Sequence, residues 1–192
     1  MPSAPENPAQ KPARAVRRHD PERRERIITA ALDTIAENGV AEATLRRVAA
    51  AADVPLGSIS YHFSGREELL FEAFSRFSGE MVLDLETSLS NARTPRQVKT
   101  AIVEHICGPA WAVRRNLLLS YELYAYSSRQ KGSTQVWLNW IARVRAILLR
   151  HFDKRTADAI DALIEGYIIH RSIDQEPPTK RDIQAVIDKL TS

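Results

Sequence analysis

Two short helical segments joined by a tight turn, within residues 44–63, constrain this chain more than any other feature. Thr44 is a good N-cap for the first segment, and the second runs roughly from Pro55 to Phe63. The residues of the first segment predicted to face inward are Leu45, Val48, Ala49 and Ala52. Asp53 lies where the chain must turn sharply, and aspartate tolerates the left-handed region better than most non-glycine residues. The pattern predicts a helix-turn-helix.

The second segment has one apolar and one polar side when its residues are placed at about 100° intervals. Leu56, Ile59 and Phe63 are predicted to pack inward. The residues predicted to point away are Gly57, Ser58, Tyr61 and His62, with Ser60 at the edge. These side chains are small or form hydrogen bonds, and none is a long acid. They suit close approach to DNA, whose major groove admits such a helix.

The remaining sequence shows helical periodicity without strand-like alternation, so we predict an all-α protein. The first helix is expected to begin at Asp20 and Pro21 and to end at Asn38-Gly39, with Gly39 left-handed. Its inward stripe is Ile28, Ala31, Leu32 and Ile35. The later helices are expected over residues 66–89, 95–107, 116–130, 134–152, 153–173 and 180–190.

Capping patterns and breakers mark where these later helices begin and end. Capping boxes are predicted at Ser64-Gly65-Arg66-Glu67, at Thr94-Pro95-Arg96-Gln97 and at Thr179-Lys180-Arg181-Asp182. Gly108-Pro109 is expected to break one helix, and Gly132 to close another.

Charge and cysteine content give weaker constraints. The formal net charge of +3 is too small to establish nucleic-acid binding by itself. Residues 1–19 are rich in Pro, Ala and Arg and are expected to form a disordered basic tail, either simply solvated or acting as an arm on DNA. A single cysteine, Cys107, fits a reducing compartment, and no signal peptide or membrane span is recognisable. We therefore expect a cytoplasmic protein.

The run TLRRVAAAADVPLGSISYHFSGREELL, at residues 44–70, resembles the signature of the TetR family of regulators. The specific match extends over about residues 24–74, and residues 162–166, ALIEG, resemble the penultimate helix of that family. Asp53 replaces the usual turn glycine, Pro55 a capping Ser or Thr, Ser60 a common tyrosine and Arg66 a lysine.

The resemblance implies a homodimer that binds DNA and a small-molecule effector. It divides the chain into a tail (1–19), a helix-turn-helix domain (20–65) and a ligand-binding and dimerisation domain (66–192). DNA contacts are expected from Thr44, Arg46, Leu56, Gly57, Ser58, Ser60, Tyr61, His62 and Arg66. For His62, bracing of the recognition helix is an equal alternative.

The larger domain carries aromatic residues on apolar helices, which form an ordinary core or line a small-molecule pocket. The pocket residues we name are Phe77, Trp111, Tyr121 and Tyr124. No charge cluster identifies the effector, and an apolar or aromatic compound is favoured. Two late helices are the expected dimer pair. Their apolar stripes are Trp137, Ile141, Val144 and Leu148 on one, and Ile160, Leu163, Ile164, Tyr167 and Ile168 on the other.

Two other classes of function are weighed against a regulator. An enzyme is disfavoured because the sequence has no phosphate-binding glycine loop and no nucleophile elbow. His105 and Cys107 alone do not make a metal site, so no metal and no cofactor is expected. A helical interaction protein without DNA binding is the second alternative. The sequence favours a repressor that binds a palindromic operator as a homodimer and is released by its effector.

Overall fold

The computed structural model describes residues 22–129 and 134–192, and this part of the chain consists of helices and connecting loops without a β-strand. The all-α prediction is therefore confirmed. The predicted basic tail, the helix start at Asp20 and Pro21, and the helix end at Gly132 lie outside the described residues.

Ten α-helices and one 3₁₀ turn follow one another in the described ranges. In chain order they are α1 (Arg23–Asn38), the 3₁₀ turn (Val40–Glu42), α2 (Leu45–Ala51), α3 (Leu56–His62), α4 (Arg66–Ser90), α5 (Pro95–Ile106), α6 (Pro109–Ala112), α7 (Arg114–Arg129), α8 (Thr134–Leu148), α9 (Lys154–Ile173) and α10 (Lys180–Leu190). The Gly108-Pro109 break ends α5 as predicted. Pro109 then opens α6, because proline suits the first position of a helix. This short helix was not predicted from the sequence.

Gly39 ends α1 as predicted, but its conformation differs from the expected one. Its φ of 81° is positive while its ψ is 163°, so it lies in an extended region open essentially to glycine and not in the left-handed helical region. The Gly39 N–H still donates to the carbonyl of Ile35 at 2.8 Å, and the chain then enters the 3₁₀ turn directly.

Side-chain caps fix the starts of several helices. Thr44 accepts a hydrogen bond from the Arg47 N–H, and the predicted capping boxes at Thr94 and Thr179 are both present. The box predicted at Ser64 is wrong, because Gly65 is the N-cap of α4 and has no side-chain oxygen to accept a hydrogen bond from the first turn. The Ser64 N–H instead donates to the Glu68 carboxylate at 2.6 Å, one residue beyond the predicted partner.

The long helix α4 connects the N-terminal helices to the rest of the protein. Arg76 donates to Thr29 of α1 at 3.0 Å, and Phe77 packs edge-on against Trp140 of α8 with ring centroids 5.7 Å apart. The buried apolar side chains form one continuous cluster from α1 to α10. This cluster crosses the predicted domain boundary between residues 65 and 66, so that boundary stays a prediction.

Much of the apolar surface of α8 and α9 is used within one chain. Val144, Leu148, Ile160, Ile164 and Ile168 are all buried in the single chain, so their expected place in a dimer interface is wrong. Helix α8 packs against α9, α4 and α7, while α9 also packs against α5, α7 and α10, and this packing covers those residues. Residues of the two stripes that stay partly accessible are Trp137, Ile141, Leu163 and Tyr167.

Candidate nucleic-acid interface and cavity

The turn between α2 and α3 has the geometry that a helix-turn-helix requires. Asp53 has a φ of 52°, and in the part of the chain that the structure describes it is the one non-glycine residue with a positive φ. The N–H of Val54 donates to the carbonyl of Ala49 at 3.0 Å and closes the turn. The left-handed conformation predicted for Asp53 is confirmed.

Helix α3 is held by two of the three residues predicted to face inward. Ile59 is fully buried and Phe63 is 2% exposed, whereas Leu56 is 44% exposed, so its inward prediction is wrong. Leu56 is the first residue of α3, next to the exposed Pro55, and the core covers the helix only one turn later, at Ile59. Its exposure instead agrees with the DNA-facing position that the resemblance implied.

The predicted reading surface is accessible on α3 and at the start of α2. Tyr61 is 83% exposed, and its ring meets that of His62 edge-on at 5.0 Å. The other expected contact residues that are exposed are Thr44, Arg46, Gly57 and Ser60, while Ser58 and His62 are half-buried. Arg47 is paired with Glu42 at 2.6 Å. Arg46 has no such ion pair within the described ranges and is left available for an outside anion.

Arg66 is placed differently from the other expected contacts. Its guanidinium donates to the main-chain carbonyls of Val40 and Ala43, the latter at 3.0 Å, and pairs with Glu67 at 3.2 Å. These bonds point the side chain toward the 3₁₀ turn. The arrangement favours a bracing role for Arg66 over a phosphate contact.

Arg24 supports the recognition helix, a role that the sequence did not suggest. Its guanidinium lies 5.2 Å from the centre of the Phe63 ring and pairs with Glu72 of α4 at 3.1 Å. A cation over an aromatic face is attracted by the ring quadrupole. Arg24 therefore links α1, the end of α3 and α4.

A small cavity of about 60 Å³ lies in the body of the protein, lined by residues of the six helices from α4 to α9. Three of the four residues named from the sequence line it, namely Trp111, Tyr121 and Tyr124. The fourth, Phe77, is fully buried behind Trp140 and is not part of the lining, so that placement is wrong. Trp137 and Trp140 line the cavity as well; they belong to the aromatic residues for which a core or a pocket was expected, but they were not among the four named pocket residues.

The aromatic walls are packed in a defined way. Trp111 and Trp140 stack with ring planes 10° apart, and the Tyr124 and Trp137 rings meet at 4.5 Å. His105, which also lines the cavity, holds Trp111 in place, since its Nε2 accepts from the indole N–H at 3.3 Å while its Nδ1 lies 2.7 Å from the Asp84 carboxylate. This chain of bonds requires the tautomer in which Nδ1 carries the proton.

Two carboxylates of α9 face the same cavity, Asp161 and Glu165. Asp161 accepts a hydrogen bond from Arg145 Nε at 2.8 Å. Glu165 makes no hydrogen bond or ion pair to another residue in the described ranges. Burial, together with the charge of Asp161, raises the pKa of Glu165 to about 7, and Arg145 offsets only part of this rise. The cavity therefore presents aromatic faces beside an acidic group without its own counter-charge.

The spacing of Asp161 and Glu165 in the sequence indicates that both carboxylates lie near the cavity, and the sequence analysis did not use this pattern. Asp161 and Glu165 are four residues apart on α9, so they lie on one face of the helix. Ile164 and Ile168, which belong to the apolar stripe, line the same cavity. Two acids bordering an apolar stripe are an unusual pattern, because buried acids carry a desolvation cost.

An exposed recognition helix joined to a helical body with an aromatic cavity defines a DNA-binding regulator of the helix-turn-helix class. The family model described as "Bacterial regulatory proteins, tetR family" matches residues 27–73, which span α1 to the first part of α4. No helix of the described ranges is long and apolar enough to cross a membrane.

Solved structures extend the similarity over nearly the whole chain. A transcriptional regulator of Streptomyces coelicolor is 40% identical, with 90% of this chain and 99% of that chain covered and a TM-score of 0.86. Another protein from the same genus and species, described as a member of the TetR family, is 31% identical over 90% and 99% of the chains, with a TM-score of 0.75. The multidrug binding protein EbrR, in complex with malachite green, is 30% identical over 90% and 99%, with a TM-score of 0.75.

The chain belongs to the TetR family, and it is a transcriptional regulator of that family. The matched family model and the 40% identical relative are described as regulators, which confirms the prediction of a non-enzymatic protein. The predicted contact residues and pocket residues keep the status of predictions, because the comparisons identify the family and not the individual contacts.

Proposed function

We propose that this regulator is a repressor that binds a palindromic operator as a homodimer and is released by an aromatic, cationic effector. The observation that carries the proposal is the acidic group Glu165, without a counter-charge of its own, in a cavity walled by tryptophan and tyrosine. The reader is assigned to residues 20–65, and the effector and dimer functions to residues 66–192.

The proposed DNA contacts come from the accessible face of α3 and the start of α2. Tyr61 and Arg46 are the leading candidates, because Tyr61 is 83% exposed and Arg46 has no intramolecular ion pair among the described residues. The remaining candidates are Thr44, Leu56, Gly57, Ser58, Ser60 and His62. We omit Arg66 from the contact set because protein carbonyls already occupy its guanidinium.

The proposed dimer uses the outer faces of α8 and α9. Leu138 is 52% exposed, and Leu163 and Tyr167 remain half-buried in the single chain. Gly166 has open space where a Cβ would stand, so a neighbouring helix of a second copy could approach closely there. A two-fold dimer would place its recognition helices about 34–36 Å apart or a multiple of that distance, which requires an inverted repeat in the operator.

The proposed effector class rests on the cavity and on one relative. EbrR has been crystallised with ethidium, proflavin and malachite green, which are all aromatic cations. Here the stacked Trp111 and Trp140 would take an aromatic face, and Glu165 would supply the negative charge. A cation also interacts favourably with the aromatic quadrupole itself.

Selection from random duplex DNA with the full chain tests the DNA half of the proposal. We expect an inverted repeat and two chains per duplex. Arg46→Ala should weaken operator binding by about 1–3 kcal/mol. Arg150→Ala, which removes an exposed arginine far from α3, should leave binding unchanged. Binding of a single chain to one half-site, or equal losses for both variants, would contradict the proposal.

Malachite green titrated into the operator complex tests the effector half, because ethidium and proflavin intercalate into DNA themselves. We expect the dye to weaken operator binding by the wild-type protein and to do so much less for Glu165→Gln. Glu104→Gln, which changes an exposed carboxylate on α5, serves as the control and should respond like the wild type. No effect of the dye on wild-type binding would refute the effector class.

A further inference from the structure

Helix α7 separates the cavity from the N-terminal reader and contacts both. Ser120, Tyr121 and Tyr124 line the cavity on one side of the helix. Arg115 and Glu122 extend from the other side toward α1 and the 3₁₀ turn. The same helix therefore touches the proposed effector site and the elements that carry the proposed DNA contacts.

Three polar contacts join this second side of α7 to the reader and to the start of α4. Arg115 Nε donates to Asp33 of α1 at 2.7 Å, and the Tyr126 hydroxyl donates to the Glu67 carboxylate. Glu122 Oε2 accepts from the main-chain N–H of Val40 at 2.8 Å. The Glu122 contact differs in kind because it holds the backbone, so it does not depend on the rotamer of a second side chain.

The Glu122 contact satisfies a backbone group that the local fold leaves without a partner. Val40 opens the 3₁₀ turn, and the first N–H groups of a helical turn have no acceptor within it. Gly39, just before it, has a positive φ, and a Cβ built there would lie 3.2 Å from Glu122 Oε1. The carboxylate therefore fits closely over the junction between α1 and the 3₁₀ turn.

The 3₁₀ turn is held from two directions. Glu122 of α7 holds the N–H of Val40, and Arg66 of α4 holds the carbonyls of Val40 and Ala43. Ala43 is followed directly by Thr44, the N-cap of α2. A displacement of this turn would therefore change the position of α2 relative to α1.

We propose that Glu122 is a positioning residue that transmits occupancy of the cavity to the reader. This inference rests on the proposed function of the cavity. At about 60 Å³ the cavity is far smaller than the roughly 300–1,000 Å³ of sites that hold small molecules, so an aromatic ligand must push a wall aside. Tyr124 of α7 is 48% exposed, whereas Trp111 and Trp140 are 8% exposed, so Tyr124 is the aromatic wall with the most room to move, and a ligand that displaces it acts on α7. Movement of α7 shifts Glu122 and with it the turn before α2.

The coupling factor, which is the ratio of operator affinities without and with saturating malachite green, provides the first test. Wild-type chain is expected to show a factor of up to about 100, within the usual range for linked sites. Glu122→Ala should reduce the factor to below about 10, and Glu122→Gln, which keeps an acceptor oxygen, should retain most of it. Glu104→Ala is the control and should keep the wild-type factor. Equal factors for wild type and Glu122→Ala would overturn the inference.

A second measurement needs no effector and separates the two possible failures. Hydrogen exchange of the Val40 amide in the unliganded full chain should be at least about tenfold faster in Glu122→Ala than in wild type or Glu104→Ala, because the amide loses its acceptor. Unchanged exchange would refute the positioning role even if malachite green proves not to be an effector. A wild-type chain that ignores the dye, combined with faster exchange in Glu122→Ala, would refute the effector class and leave the backbone contact supported.

Discussion

The affinity of the cavity for a permanently charged aromatic cation is expected to fall about tenfold when the pH is lowered from 8 to 6. Burial and the nearby charge of Asp161 raise the pKa of Glu165 to about 7. A cation stabilises the ionised carboxylate, so its affinity follows the ionised fraction. For a pKa of about 7, that fraction is about 0.91 at pH 8 and about 0.09 at pH 6.

Other charged groups near the cavity limit this effect to one carboxylate. Asp161 is hydrogen-bonded to Arg145 at 2.8 Å, and the guanidinium opposes the rise in its pKa that burial causes. Arg145 also lies 3.4 Å from Asp158. Glu165 therefore remains the carboxylate most available to a bound cation.

Calorimetric titration of ethidium in DNA-free buffer measures this dependence, because the quaternary nitrogen keeps its charge at every pH. Phenanthridine, the uncharged parent ring system, is the matched ligand and should not lose affinity between pH 8 and pH 6. Glu165→Gln should bind ethidium with a flat profile, at or below the wild-type affinity at pH 6, because it lacks the remaining ionised fraction. Equal pH slopes for the wild type and Glu165→Gln would show that this carboxylate does not select the charge.

Four substitutions test other parts of the structure. Glu165→Gln should raise the free energy of unfolding by about 1–2 kcal/mol at pH 8 and by little at pH 4, because a carboxyl whose folded pKa is raised loses its stabilising contribution as the pH rises through about 7. Phe63→Ala should lower the free energy of unfolding, measured by urea titration, by about 3–5 kcal/mol, since the ring is 2% exposed. Tyr61→Ala should leave the melting temperature nearly unchanged and weaken operator binding by about 1–3 kcal/mol; unchanged binding would argue against its DNA contact. Gly39→Ala should destabilise the fold by about 1–3 kcal/mol, because its φ is 81°, and a neutral effect on thermal unfolding would contradict the strain argument.

The reader could be predicted from sequence because its signals are local. Thr44 caps α2 through a hydrogen bond to a residue three positions on, and Asp53 adopts its positive φ within a turn of a few residues. The periodicity of α3 placed Ile59 and Phe63 correctly. It failed at Leu56, because periodicity gives the direction of a side chain and not whether another element covers it at the end of a helix.

The cavity was predictable only in part, because its walls come from six helices, α4 to α9, that span a long stretch of the sequence. Aromatic residues on apolar helices indicated Trp111, Tyr121 and Tyr124, but nothing local distinguished them from Phe77, which is core. The same limit applied to α8 and α9. An apolar stripe does not say whether it packs within one chain or between two, and residues such as Leu148 proved to be buried within one.

The sequence of α7 nevertheless shows two distinct sides at helical spacing, one facing α1 and α4 and one facing the cavity. At about 100° per residue, Arg115, Glu122 and Tyr126 fall within about 40° of one another, while Tyr121 and Tyr124 fall on other parts of the helix. Polar residues at such spacing usually indicate a solvated face, so the pattern gave no reason to expect contacts with α1 and α4. The structure places acceptors and donors opposite each of the three, at Asp33, at Val40 and at Glu67, which lie 59–82 residues away. A polar face becomes a coupling surface only through partners that tertiary packing brings to it, and periodicity within one helix cannot supply them.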